Sequence, residues 1–117
     1  DIYEIFHPLM CDLAQEEILV LLLNRARKLI DKIRISSGGI DGTYADVRSI
    51  LREALMQRAT QIAVVHNHPS GNIQPSQPDR TLTEHIRKAA DTTNIRLIDH
   101  VIACEDGFYS FADEGLL

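Results

Sequence analysis

Several features are scarce or missing in this 117-residue sequence, and each absence removes a class of protein. No apolar run approaches the ~20 residues that a membrane-spanning helix needs, and the longest covers only residues 18–23. The N-terminus lacks the basic and then apolar layout of a secretory signal. The two cysteines, Cys11 and Cys104, are too few and too far apart for a disulfide scaffold. We therefore expect reduced, buried thiols and a cytoplasmic location.

A surplus of basic residues is also missing, because 12 Lys and Arg stand against 17 Asp and Glu. Non-specific nucleic-acid binders usually carry such a surplus, since phosphate contacts supply most of their affinity. The charge balance disfavours direct nucleic-acid binding, although a local basic patch could oppose the net sign. The hydrophobic fraction of 44% suits one globular domain spanning residues 1–117. Because the sequence does not begin with Met, we expect a fragment of a longer protein.

The spacing of apolar residues predicts strands and helices in alternation. A continuous apolar run predicts a strand at 17–24 that is covered on both faces, with 28–36 as its antiparallel hairpin partner. After a helix near the N-terminus, further helices are predicted at 46–58 and 78–92. Further strands are predicted at 61–65, 95–104 and 108–111. This order predicts an α/β (α+β) sandwich in which helices flank a mixed β-sheet.

Helical spacing also predicts which side chains of the two main helices face the core. In the first helix the predicted apolar face consists of Val47, Ile50, Leu51, Ala54 and Leu55. In the second helix it consists of Leu82, Ile86, Ala89 and Ala90.

The segment 66–79, HNHPSGNIQPSQPD, is dense in groups that bind metals. His66 and His68 would point to the same side of an extended backbone, so both imidazoles could reach one ion. The carboxylate of Asp79 follows a loop that is long enough to fold back toward them. Two imidazole nitrogens and one carboxylate form a known catalytic zinc set with a fourth position for water. Zinc bound in this way lowers the pKa of that water to about 7.

A simpler interpretation exists for each of these residues. His66 and His68 could be loop histidines that contact only solvent. Ser76 and Asp79 could form a helix N-cap, with Pro78 in the first turn and Asp79 at the positive helix end. Capping does not conflict with metal binding, because a side chain at a helix start can also face the preceding loop.

The motif His-x-His, seven residues and Ser-x-x-Asp resembles the signature of the JAMM (MPN-type) metalloproteases. The longer form HNHPSG resembles the bacterial RadC branch of that superfamily, and so do the neighbouring stretches VLLL, REAL, LIDHVI and YSF. The resemblance covers nearly the whole chain. It implies a JAB/MPN-like (cytidine-deaminase-like) fold and a bacterial, cytoplasmic protein with one Zn²⁺ ion.

The resemblance also implies roles for the motif residues. By analogy with the family, His66, His68 and Asp79 would bind zinc. Ser76 would form hydrogen bonds in the site and help to stabilise the tetrahedral intermediate. An upstream glutamate would act as the general base on the attacking water.

Two adjacent glutamates, Glu16 and Glu17, are candidates for this base, and the alignment with the family favours Glu16. If strand 17–24 runs antiparallel to strand 61–65, its start lies near His66, which supports a carboxylate there. The two side chains would point to opposite faces, so only one of them could reach the metal. The remaining alternative is an exposed acidic residue at a strand start.

The chain also departs from the family pattern and contains other candidate residues. Val47-Arg48-Ser49 replaces the Pro-Arg-Glu that usually opens the helix before the motif. We also expect the chain to lack the N-terminal helical segment that many members carry. His100 is expected to be a packed structural histidine rather than a fourth ligand. Ser70 has no His-Asp pair that would make it a nucleophile.

Three functions remain open at this point. The leading hypothesis is a zinc metallopeptidase or isopeptidase-like hydrolase that acts on a protein or peptide substrate. The alternative is a binding module associated with DNA repair or replication, with a structural or vestigial metal site. A third is zinc-dependent hydrolysis of a substrate other than a peptide.

Overall fold

The computed structural model describes residues 17–37, 47–68, 74–104 and 107–117. These residues form a five-stranded sheet with the strand order β2-β1-β3-β4-β5, together with two helices. All neighbouring strands are antiparallel except β3 and β4, which are parallel, so the sheet is mixed as predicted. The elements are β1 (Glu17–Leu23), β2 (Leu29–Ser37), α1 (Val47–Met56), β3 (Gln61–Asn67), α2 (Gln77–Thr92), β4 (Arg96–Cys104) and β5 (Gly107–Ser110).

Strand β1 is buried on both faces, which confirms the prediction from its continuous apolar run. Ile18, Val20 and Leu22 point into a cluster that includes residues of both helices. Leu19 and Leu21 point to the opposite face, where they pack with residues of β3 and β4. A strand in this position must be apolar at every residue, because neither face meets water.

Both helices pack on the same face of the sheet. Ile50 and Ala54 of α1 and Ile86 and Ala90 of α2 belong to one buried cluster. Helix α2 connects the parallel strands β3 and β4, which need such a crossover. The prediction that Leu55 faces the core is wrong, since Leu55 is 53% exposed. It lies about 100° around the helix from Ala54, at the margin of the buried face.

The two helices end in the same way, and this sets where β3 and β4 begin. Arg58 and Asn94 adopt left-handed φ angles of 58° and 60°. The next amides bond back to the helices, from Ala59 to Ala54 and from Ile95 to Ala90, both at 2.9 Å. The parallel strands β3 and β4 begin side by side at one end of the sheet, and their carboxyl ends lie next to each other at the other end.

Some boundaries differ from the prediction. Strand β3 continues through Asn67, whereas the sequence predicted a loop from residue 66, so His66 belongs to the sheet. The thiol of Cys104 is free and buried as expected, while Cys11 and the predicted N-terminal helix lie outside the described residues. In the described part of the chain, neither helix has the length and apolar character needed to cross a membrane.

Candidate metal centre

His66 in β3 and His68 just after the end of β3 are the two histidines of the motif. His66 pairs with Ile18 of β1 on one side and with Ile102 of β4 on the other. Beyond the strand end, the amide of His68 donates to the carbonyl of Ala103 at 2.8 Å. Because the extended pairing continues to residue 68, the two imidazoles point to the same side of the sheet.

The first turn of α2 holds the third residue. Ser76 is the N-cap of this helix, and its hydroxyl accepts a hydrogen bond from the Asp79 amide at 3.1 Å. The Asp79 carboxylate accepts in return from the Ser76 amide at 2.8 Å, which completes a capping box. The capping interpretation is therefore confirmed. Pro78 lies in the first turn, where its missing N–H has no cost.

The same carboxylate also faces both histidines. Asp79 Oδ1 lies 3.1 Å from His66 Nδ1, and Oδ2 lies 3.5 Å from His68 Nε2. The two imidazole rings meet edge to face, with their centroids 4.8 Å apart. Ligands of a tetrahedral ion with bonds of about 2.0–2.1 Å lie roughly 3.3–3.4 Å apart. The two aspartate–histidine spacings are close to this value, and the ligand atoms of the three residues all lie within 4.8 Å of one another, so they form a group that could hold a metal ion.

The electrostatics of Asp79 also suit a cation. Burial of this carboxylate raises its pKa, but hydrogen bonds from His66, His68 and Ser76 outweigh that effect and hold the pKa well below its usual range. The side chain is therefore ionised although the residue is only 4% exposed. A buried negative charge between two imidazoles favours a bound cation, since charges inside a protein need a partner.

A buried amide links the start of β1 to this group. Asn67 is 2% exposed, and its Oδ1 accepts a hydrogen bond from the Glu17 amide at 2.5 Å. Strands β1 and β3 pair antiparallel, which is the condition under which a carboxylate at the start of β1 would lie near His66, and residue 17 lies beside the histidines. The carboxylate of Glu17 forms an ion pair with Arg34 of β2. Glu16 lies outside the described residues.

A second buried polar pair, Thr83 and His100, lies beneath the candidate metal group. The Thr83 hydroxyl bonds to His100 Nδ1 and donates to the carbonyl of Asp79 at 2.8 Å. The His100 ring stacks on Phe111 at 4.7 Å, and burial lowers the pKa of His100 to about 3. The prediction of a packed structural histidine is confirmed. Among the described residues, the metal-competent group does not include His100.

The sequence did not single out Asn67 or Thr83. Thr83 occupies the buried position of α2 between Asp79 and Ile86, and a spacing of four and three residues was the available signal. For Asn67 the signal was its place between two histidines in an otherwise apolar strand. Both residues are polar, so a search for apolar periodicity passes over them.

Comparison with known proteins decides the family. A model of the RadC-like JAB domain matches residues 1–116. The chain belongs to the RadC-like JAB domain family. It is 47% identical over 116 residues to a UPF0758 protein of Porphyromonas gingivalis and 41% identical over 116 residues to one of Flavobacterium johnsoniae. It is 38% identical over 108 residues to the UPF0758 protein YfjY of Escherichia coli.

The coverage of these relatives is uneven. The alignments include 98%, 99% and 92% of this chain, but 51%, 51% and 68% of the respective relatives. The chain thus spans about half the length of the first two relatives.

The departure of this chain from the usual Pro-Arg-Glu falls at the start of α1, whose first turn contains no acidic residue. Ser70 lies outside the described residues.

Proposed function

We propose that this RadC-like JAB domain is a zinc-dependent hydrolase that cuts an amide bond in a protein or peptide. The observation that carries the proposal is the convergence of His66, His68 and Asp79, whose ligand atoms lie within 4.8 Å of one another. The resemblance to JAMM metalloproteases supports a metallopeptidase or isopeptidase reaction. The free, buried thiol of Cys104 is consistent with a cytoplasmic location.

The donor set suits a catalytic metal. Two imidazoles and one carboxylate are typical of catalytic zinc sites, which keep one position free of protein ligands. A zinc ion held by His66, His68 and Asp79 would supply Lewis-acid polarisation and a water of lowered pKa. A purely structural site would need a fourth protein ligand. Within the described ranges, the metal-competent group has three members, which favours catalysis over the structural alternative.

We propose Glu16 as the general base. The amide of Glu17 is held by Asn67, and Ile18 pairs with His66, so β1 begins beside the histidines. The Glu17 side chain is engaged with Arg34. In this proposal Glu16 takes a proton from the attacking water and passes it to the leaving amine.

Ser76 would act on the substrate carbonyl and not on the attacking water. Its Oγ already accepts from the Asp79 amide, and a hydroxyl that accepts one bond keeps its own proton for donation. We propose that Ser76 donates this proton in a hydrogen bond to the substrate carbonyl oxygen as negative charge develops there.

The pair Glu16→Gln and Glu17→Gln tests the proposal. Zinc content is measured by atomic absorption, and hydrolysis by the appearance of new amino groups in casein and in lysine isopeptides. Glu16→Gln should keep its zinc and lose hydrolysis by about 10²–10⁴-fold, the usual contribution of a general base. Glu17→Gln, the matched control, should keep both. Loss of zinc in Glu16→Gln, or equal activity in the two variants, would contradict the assignment.

A further inference from the structure

The two parts of the metal group belong to different elements of the fold. His66 and His68 are fixed by the sheet, since β4 pairs with β3 at His66 and accepts the amide of His68. Asp79 is fixed by the first turn of α2. The contact between its carboxylate and the imidazoles therefore depends on how the first turn of α2 is placed relative to β3 and β4.

Thr83 and His100 join α2 to β4 at the level of the site. Thr83 lies one helical turn after Asp79 and is 3% exposed, and His100 lies in β4 and is fully buried. Their side chains share a hydrogen bond through Thr83 Oγ1 and His100 Nδ1. The ring of His100 also faces that of His66, with centroids 6.3 Å apart and an angle of 26° between the rings.

The hydrogen-bond roles in this pair follow from counting protons. The Thr83 hydroxyl has one proton, which it donates to the carbonyl oxygen of Asp79 at 2.8 Å. It can therefore only accept from His100, so Nδ1 of His100 carries the proton. The hydroxyl thus connects the sheet to the backbone of the Asp79 residue itself. On the far side of the ring, Phe111 stacks at 4.7 Å and 9°, which limits rotation of the imidazole.

We propose that His100, acting through Thr83, is a positioning residue that sets the distance between Asp79 and the two histidine ligands. The inference rests on the proposed metal site and extends it to two residues that touch no metal. Partners of this kind, one step removed from the ligands, typically change metal affinity by 10–100-fold when they are removed.

Thr83→Val removes the hydroxyl while nearly preserving the shape of the side chain. Zinc affinity, measured by competition with a chromogenic chelator, should fall by about 10–100-fold. The visible spectrum of cobalt(II) bound in place of zinc should change, because it reports the arrangement of the ligands. Thr83→Ser retains the hydroxyl and should restore both affinity and spectrum.

Thr93→Val is the matched control on the same helix. The Thr93 hydroxyl donates to the carbonyl of Ala90 at 3.0 Å, so this variant also loses a hydroxyl-to-backbone bond, but at the far end of α2. Its zinc affinity should equal that of the unmodified chain, even if the melting temperature of its metal-free form falls.

His100→Asn and His100→Leu test the other partner. The Asn amide can donate from nearly the same position as Nδ1, so His100→Asn should bind zinc more tightly than His100→Leu. The proposal is overturned if Thr83→Val binds zinc as tightly as Thr93→Val, or if Thr83→Ser fails to restore the affinity.

If the unmodified chain binds no zinc, the proposed function fails. If the unmodified chain binds zinc and the Thr83 and His100 variants bind it equally tightly, the proposed function stands and this inference falls.

Discussion

Asp79 and Asp99 have the same side chain, but their pKa values are displaced in opposite directions. Asp79 is buried and Asp99 is half-buried, and each carboxylate accepts a backbone hydrogen bond. Asp99 accepts from Ser110 Oγ at 2.6 Å, from the His100 amide at 2.8 Å and from the Ala112 amide at 3.1 Å. These bonds fix the turn after β5, which carries Phe111 against His100.

Their pKa values are displaced in opposite directions. For Asp99, burial raises the pKa above 3.8 and outweighs the bonds from Ser110 and from the Ala112 and His100 amides. For Asp79, burial is again the largest single effect, but hydrogen bonds from the two imidazoles and from Ser76 reverse it. Burial alone therefore does not decide the direction in which the pKa of a carboxylate is displaced. The difference lies in imidazoles delivered from another element, and Asp99 has none.

The largest expected effect comes from exchanging each carboxylate for an amide. Asp79→Asn should weaken zinc binding beyond the 10–100-fold that loss of an outer partner causes, because it removes a charged ligand. Asp99→Asn should weaken zinc binding far less, because Asp99 is not in the metal-competent group and reaches it only through the turn that holds Phe111 against His100. Isothermal titration of both metal-free variants with zinc measures this contrast, and equal affinities would remove the distinction between the two sites.

The next largest effect is expected from replacing the serine that contacts each aspartate. For Asp79 this residue is Ser76. Ser76→Ala removes the hydroxyl but keeps the Ser76 amide that donates to Asp79, so zinc should remain bound. Hydrolysis should fall by about 10²–10³-fold if the hydroxyl stabilises the oxyanion. The lost cap should also lower the free energy of unfolding by about 0.5–2 kcal/mol. Undiminished kcat with a lowered stability would limit Ser76 to capping.

Ser110→Ala is the corresponding change at Asp99. The hydroxyl donates to Asp99 Oδ2 and accepts from the Asp113 amide at 3.1 Å, so the half-buried Asp99 carboxylate and the Asp113 amide each lose a partner. We expect a loss of about 1–3 kcal/mol in the free energy of unfolding by urea. Zinc affinity should not change. An affinity loss as large as that of Thr83→Val would show that the two aspartates are coupled.

The smallest effect concerns pH. Because the folded pKa of Asp99 is raised above 3.8, its stability contribution is fully present below pH 3.8 and is lost as the pH rises through the folded pKa. Asp99→Asn lacks this titration. The difference in urea unfolding free energy, unmodified minus variant, should therefore decrease as pH rises between roughly 3 and 7. An increase over this range would mean that the hydrogen bonds outweigh burial at Asp99.

The sequence predicted well what depends on apolar periodicity and on the spacing of the motif. The buried strand β1, its hairpin with β2 and helix α2 follow from runs and spacings of apolar residues, and the group of His66, His68 and Asp79 follows from the motif. The order of strands in the sheet did not follow, because pairing between distant segments is a tertiary property. Thr83 was missed for a similar reason, since its spacing in α2 indicates a buried position but not its hydrogen-bond partner on β4.

The exposed Leu55 illustrates the opposite limit. Its helical spacing fits the apolar face, but whether a side chain at the margin of that face is covered depends on the packing of neighbouring elements. Likewise, the sequence allowed Asp79 to lie both in a cap and near the histidines, and the structure shows that one carboxylate contacts Ser76 and both histidines. Spacing alone could not show that these contacts coexist.

The most direct test of the account is a crystal structure of the zinc-loaded chain with anomalous scattering recorded at the zinc edge. We expect one strong peak bonded to a nitrogen of His66 and of His68 at about 2.0–2.1 Å and to an oxygen of Asp79 at about 2.0–2.2 Å. A fourth position should lack a protein ligand and face Glu16. A peak elsewhere, or a fourth protein ligand on the ion, would contradict it.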